Sequence, residues 1–236
     1  LLVATLLVLW GVRENFERPV VSPSRADKRA KRSGLRAGAP ILLLLMAMGL
    51  VRQFDVPMLP FLVQLVHGGV QGAELWMSRV QIMFAMGALA GSFLLGWLAD
   101  RIAPPKVAKF CSLAAGLCVI PQMLAATFAP LLWGRLWMAF FAGGLDPVFQ
   151  IWLSRVTPKA QRGQAFGWAV TARSFGWVLG PSMSTWIAIH FDVRTSFFAM
   201  SELYILLIPL IAYVSALVVH PGTQGAVEKK PAQDRV

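Results

Sequence analysis

The chain alternates between long apolar runs with almost no charge and short connections that carry most of its lysines and arginines. Six apolar segments can be placed along it, at residues 40–66, 78–99, 108–129, 131–154, 163–189 and 195–219. Each is long enough to cross a bilayer core of about 30 Å as an α-helix. The pattern therefore predicts an all-α membrane protein with six transmembrane helices.

Glycine spacing indicates that these helices form two sets of three. The second segment contains Gly87 and Gly91, and the fifth contains Gly176 and Gly180. A spacing of four residues between small side chains lets two helix backbones approach closely in a membrane. We therefore expect a 3+3 repeat, with two uses left open for these glycines: plain packing and a moving contact between helices.

The basic connections orient the predicted helices. Residues 100–109, 155–162 and 220–236 are rich in Lys and Arg, whereas the intervening connections carry little charge. Cytoplasmic loops of membrane proteins have such an excess of positive residues. We therefore expect a multi-pass protein of the cell (inner) membrane whose linker and C-terminus are cytoplasmic.

The same pattern divides the chain into four regions. Residues 1–12 are apolar but too few to cross a bilayer, so we expect them to be the end of a truncated span of a longer protein. Residues 13–38 form a basic cytoplasmic linker, 39–219 the six-span body and 220–236 a cytoplasmic tail.

Composition narrows the function classes. The 236 residues are 57% hydrophobic and 14% charged, with a formal net charge of +11. Because the positive charge lies on alternate connections, it indicates membrane topology and excludes a nucleic-acid surface. The chain has no HExxH motif, and Cys111 and Cys118 fit neither a zinc site nor a redox CxxC. We expect no enzyme activity, no metal and no cofactor.

Beyond the first turn of each apolar segment, six charged residues lie inside the segments. A charge at the bilayer centre costs about 2.5–3.5 kcal/mol on insertion scales. Three are positive and three negative: Arg52, Asp55, Arg135, Asp146, Arg173 and Glu202. Such residues are retained for pairing, for a water-filled cavity or for coupling. Arg52, Asp55, Asp146 and Arg173 are the candidate substrate and proton pathway.

Arg52 and Asp55 stand three residues apart and are expected to pair on one helix face. Pro57 and Pro60 follow and disturb the helix, as at the midplane sites of transporters. A structural pair and a substrate or proton site both remain open here.

The other four charges differ in expected depth. Arg173 lies roughly 15 Å into the bilayer by helical rise and needs a partner or water. Asp146, before a proline, is a hinge or a site. Arg135 and Glu202 lie nearer the outer ends of their segments, where snorkelling is the favoured explanation.

Several motifs in this order resemble the major facilitator superfamily. Gly96-x-Leu98-Ala99-Asp100-Arg101-x-x-x-x-Lys106 resembles the loop motif after the second span of each half, with Ala103 and Pro104-Pro105 as departures. Gly176-x-x-x-Gly180-Pro181, preceded by Arg162-Gly163-x-x-x-x-Gly167 and Arg173, resembles the motif of the antiporter branch.

The resemblance implies the C-terminal half of a major facilitator fold, spans six to twelve, of the multidrug:proton antiporter-like branch. Its expected activity is alternating-access, proton-coupled export of apolar or cationic small molecules, energised by the proton gradient. The expected partners are a small-molecule substrate, protons, lipid and the N-terminal half of the same protein. Uptake of a sugar, organic anion or other metabolite is the alternative within the class, and a non-transporting scaffold is the alternative outside it.

The resemblance also implies roles for the motif residues. In the family the Asp of the loop motif holds the start of a helix in the opposite half, so Asp100 is expected to lack a partner in this chain. The expected inward gate comprises Gly96, Asp100, Arg101 and Lys106. The expected helix-packing motif comprises Gly176, Gly180 and Pro181.

Overall fold

A computed structural model describes residues 40–158 and 161–219, which form seven helices and no strand. They are α1 (Pro40–Gln53), α2 (Leu59–His67), α3 (Ala73–Arg101), α4 (Pro104–Met123), α5 (Phe128–Val156), α6 (Arg162–His190) and α7 (Val193–Val219). The predicted all-α class is confirmed. The predicted truncated span, linker and tail lie outside the described residues.

Three helices are long and apolar enough to cross a membrane, namely α3, α5 and α7. Helix α1 is apolar but shorter. The count of six spans therefore stays a prediction.

The first predicted span, 40–66, is wrong as a single helix. It divides into α1 and α2 around a turn at residues 54–58. Pro57 explains the break, because it has no N–H to bond the carbonyl of Gln53 and disfavours helical backbone at Val56. Pro60 does not interrupt a helix, since it lies in the first turn of α2, where a missing N–H costs little.

Prolines also set the ends of α4 and α5. Pro104 and Pro105 occupy the first turn of α4, so they start that helix where the family motif has other residues. The predicted segments 108–129 and 131–154 place a connection at residue 130, but it lies at residues 124–127, and Pro130 falls near the start of α5. Each of these prolines lies in the first turn of its helix, where a missing N–H costs little.

Glycines determine the closest helix crossings. Helix α5 packs on both α3 and α4, and α4 also packs on α7. A Cβ atom built on Gly87 or Gly91 of α3 would collide with the carbonyl oxygens of Leu136 and Phe140 on α5. Glycine at both positions therefore permits backbone contact between α3 and α5.

A second close crossing joins α1 to α6. A Cβ on Gly176 or Gly180 would collide with backbone atoms of Met46 and Leu50, and one on Gly49 would meet the carbonyl oxygen of Arg173 at 2.5 Å. Pro181 continues α6 without a break. This crossing holds the Arg173 region of α6 against α1.

Candidate functional site

Three helices contribute to one cluster of charges. Asp146 of α5 accepts a hydrogen bond from Nη1 of Arg52 on α1, and its other oxygen accepts one from Nη1 of Arg173 on α6 at 3.1 Å. Each of the three side chains is 22–24% accessible. One carboxylate is thus shared by two arginines from different helices.

A second, deeper pair lies beside it. Arg135 of α5 donates from Nη1 to Asp55, and both side chains are only 3% accessible. Asp55 lies in the turn between α1 and α2, and its carbonyl accepts the backbone N–H of Leu59 at 2.8 Å. The guanidinium of Arg135 also stands 4.7 Å from the centre of the Phe84 ring.

The predicted pairing of Arg52 with Asp55 is wrong. Helix α1 ends at Gln53, so the two residues do not share a helix face, and each pairs with α5 instead. The prediction that Arg135 snorkels is also wrong, because it is buried with Asp55. One signal could have found Arg135: it precedes Asp146 by eleven residues, about three helical turns, and so lies on the same face of α5.

The remaining three charged residues of the prediction can now be located. Helix α5 runs through Asp146 and Pro147 to Val156, so Asp146 is an ion-pair residue within a continuous helix. Glu202 is exposed on α7 and takes no part in the two ion-pair groups. Arg173 has the partner that its predicted depth requires.

Of the five charged residues in the two ion-pair groups, all except Asp55 line a cavity of about 520 Å³, within the range of ligand pockets in proteins. Phe84 and Trp177 supply aromatic surface, and the Arg173 guanidinium lies 5.2 Å from the Trp177 ring centre. The full lining comprises Arg52, Gln53, Val56, Leu59, Gln81, Phe84, Arg135, Asp146, Arg173 and Trp177. The cavity can therefore bind a solute that is partly apolar and partly polar.

Two hydrogen-bond donors of this site are unused. The Nε atoms of Arg135 and Arg173 are buried and have no hydrogen-bond partner among the described residues. A buried donor without an acceptor costs free energy, and the cost is greater for a charged group. These two Nε donors are therefore unsatisfied within the described part of the chain.

The loop motif lies at the junction of α3 and α4, away from this cavity. Gly96 of the motif is buried, and a Cβ built on it would be in ordinary contact with Pro147. Asp100 and Lys106 are exposed, and the Arg101 guanidinium lies 4.0 Å from the Trp97 ring centre.

The expectation that Asp100 lacks a partner in this chain is wrong. Arg155, near the end of α5, places Nη2 3.7 Å from Oδ1 of Asp100 and donates to the carbonyl oxygens of Ala99 and Asp100, each at 3.1 Å. These carbonyls belong to the last turn of α3, where a cation is favoured. Sequence reasoning counted Arg155 only as a topological charge.

Comparisons with known proteins agree with the motifs. Residues 41–234 match the Major Facilitator Superfamily. The chain is 28% identical over 85% of its length to the uncharacterized MFS-type transporter YuxJ of Bacillus subtilis, covering 52% of that protein. It is 26% identical over 84% of its length to multidrug resistance protein MdtG of Salmonella heidelberg, covering 49% of that protein.

A shorter match, 28% identical over 46% of the chain, covers 21% of inorganic phosphate transporter 1-4 of Arabidopsis thaliana. The chain spans about half the length of the first two relatives. Because the family match covers most of the chain, the protein belongs to the Major Facilitator Superfamily, a family of integral membrane transporters and not of enzymes.

Proposed function

We propose that this chain forms the C-terminal half of a secondary active transporter that exports drugs or other small molecules in exchange for protons. It lies in the cell inner membrane with residues 13–38 and the C-terminus on the cytoplasmic side, and needs no cofactor beyond the proton gradient. The observation that carries the proposal is the carboxylate of Asp146 in a cavity, shared by Arg52 and Arg173. The similarity to a relative named multidrug resistance protein supports it.

A shared carboxylate can couple protonation to helix movement. While Asp146 is ionised, it ties α1 and α6 to α5 through Arg52 and Arg173. A proton on Asp146 removes the charge that attracts both guanidiniums, so both helices are released from α5 together. Alternating access needs such an element with two arrangements, and the close crossing of α1 on α6 lets the two helices move as a unit.

In this proposal, the loop between α3 and α4 acts as the inward gate of the transporter. Arg155 fixes the end of α3 to α5 through two carbonyls and leaves the side chain of Asp100 largely exposed, at 68% accessibility. Asp100 is therefore available to a helix start in the N-terminal half.

The test is transport by the protein as its gene encodes it, reconstituted in liposomes with an imposed pH gradient. Export of anionic, neutral and cationic dyes is compared for the unaltered protein, Asp146→Asn, Arg173→Ala and the control Arg79→Gln. Arg79 is exposed and lies outside the cavity. We expect at least a tenfold loss of gradient-driven transport for the first two variants only, at equal amounts of inserted protein. Full rates in both would refute the proposed roles.

Proton-coupled uptake of an anionic metabolite is the second candidate. It is favoured by the three arginines that line the cavity and by the match to a relative named inorganic phosphate transporter. Reversing the pH gradient in the same liposomes separates the two: net accumulation with proton entry indicates uptake, and net release indicates export.

A further inference from the structure

The charges at the cavity do not balance. Three guanidiniums, those of Arg52, Arg135 and Arg173, face two carboxylates, those of Asp55 and Asp146. The other polar groups of the lining are neutral, namely the amides of Gln53 and Gln81 and the indole N–H of Trp177. Within the described part of the chain, one positive charge at this site therefore has no counterion.

The surplus is located at Asp146 and not at Asp55. Arg135 and Asp55 form a closed one-to-one pair, both almost fully buried. By contrast, the single carboxylate of Asp146 divides its two oxygens between Arg52 and Arg173. One anion cannot neutralise two cations, so the missing negative charge belongs between these two guanidiniums.

An unused donor lies beside the same place. A guanidinium has five N–H donors in a fixed plane and suits the two oxygens of an acidic group. The buried Nε of Arg173 has no acceptor among the described residues. The Nε of Arg135 has none either, but Arg135 belongs to the closed pair with Asp55 and does not mark this place. Arg173 lines the cavity. The site lacks an acceptor as well as a negative charge.

We propose that the cavity binds the single acidic group of an amphipathic solute between Arg52 and Arg173, with the apolar part of the solute against Phe84 and Trp177. This rests on the proposed transport function and specifies its substrate as a monoanion such as a carboxylate. It changes the expectation drawn from the sequence, which was an apolar or cationic solute.

Neither a cationic nor a neutral solute fits the site as well. A cation would have to compete with Arg52 and Arg173 for one carboxylate, and it would add to a charge that is already positive. A neutral solute would leave the surplus charge desolvated without a partner, which is unfavourable in a low-dielectric site. A monoanion gives three negative charges against three positive.

The test measures binding without transport. The protein as its gene encodes it is purified in an uncharged detergent, and its melting temperature is followed with increasing hexanoate, hexanol or hexylammonium. The three probes share one chain length and differ in the charge of the head group. We expect hexanoate to raise the melting temperature in a saturable way. Hexanol and hexylammonium should give melting temperatures that equal each other and are lower than that with hexanoate.

Two variants with opposite expected effects separate binding from structural damage. Arg173→Gln leaves two arginines against two carboxylates, so hexanoate affinity should fall about tenfold or more. Asp146→Asn leaves three against one, so hexanoate affinity should rise by a similar factor. Arg79→Gln, outside the cavity, should leave it unchanged. Damage to the fold would weaken binding in both cavity variants.

Each outcome decides the proposal. Saturable stabilisation by hexanoate with opposite changes in the two variants supports it. A stronger effect of hexylammonium overturns it, and so does the absence of any hexanoate effect, which would mean that a carboxylate from elsewhere in the protein already fills the site.

The transport proposal fails separately. A protein that binds hexanoate but moves no dye retains the anion site and loses the transporter function. A protein that exports dyes in response to the pH gradient but does not bind hexanoate retains the transporter function and lacks the anion site.

Discussion

The buried pair of Asp55 and Arg135 allows a quantitative test of how the cavity region is stabilised. Each side chain is 3% accessible, so replacing Asp55 by Asn leaves a guanidinium buried without its counterion. Breaking a buried ion pair from one side costs about 3–5 kcal/mol of unfolding free energy. We expect this loss for Asp55→Asn and for Arg135→Gln, each made alone.

The double variant should behave differently. With Asn and Gln at the two positions, no charge remains buried, and neutral hydrogen-bonding side chains of similar size fill the space. Replacing both members of a buried pair is often close to neutral. We therefore expect the double variant to be more stable than either single variant, with a coupling energy of about 3 kcal/mol or more.

The assay is reversible unfolding in mixed micelles of an uncharged detergent with increasing dodecyl sulfate, followed by circular dichroism. Asp100→Asn is the matched control, because its ion pair with Arg155 is exposed, with side chains 68% and 44% accessible. Exposed pairs contribute about 0–1 kcal/mol. If the single variants lose no more than this control, or if their losses simply add in the double variant, the argument from burial is refuted.

Two further predictions concern backbone contacts, and both are checked by thermal unfolding in detergent. Gly180→Ala should cost about 1–3 kcal/mol of unfolding free energy, because the new Cβ meets the carbonyl oxygen of Leu50. Gly163→Ala has open space around the new Cβ and should be neutral or slightly stabilising. Equal effects of the two substitutions would contradict the close crossing of α1 and α6. Arg155→Gln should cost about 1–2 kcal/mol and more than Asp100→Asn, because Arg155 donates to two carbonyls at 3.1 Å while the carboxylate lies at 3.7 Å. The reverse order would show that the ion pair matters more.

The helical class and the family could be predicted because their signals are local. Long uncharged segments indicate helices wherever they occur, and motifs such as Gly96 to Lys106 are contiguous in sequence. The family match over residues 41–234 confirms that reading. Helix ends were less predictable around prolines, because Pro57 breaks a helix while Pro60 and Pro104 begin one. A proline breaks a helix when it falls inside it and is tolerated when it falls in the first turn, and the sequence alone does not say where that turn begins.

The ion pairs could not be predicted from spacing along the chain, because each one joins different helices. The three-residue rule that linked Arg52 to Asp55 applies only while a helix continues through both residues. It ends at Gln53. The partners, Arg135 and Asp146, are 80 and 94 residues away from the groups that they bind. Arg155 was missed for the same reason, since its acceptors are carbonyls of α3.

The antiparallel order of the two pairs explains why long basic side chains are needed at these positions. The earlier residue on the α1 side, Arg52, binds the later residue of α5, Asp146, and Asp55 binds Arg135. Arg135 and Asp146 are separated by about 16 Å of helical rise, whereas three residues of chain from Arg52 to Asp55 span at most about 11 Å. The long side chains of Arg52 and Arg135 cover the difference, since each contacts its carboxylate. The turn at residues 54–58, which takes Asp55 out of α1, and the eleven-residue spacing on α5 therefore both favour two separate ion pairs with α5.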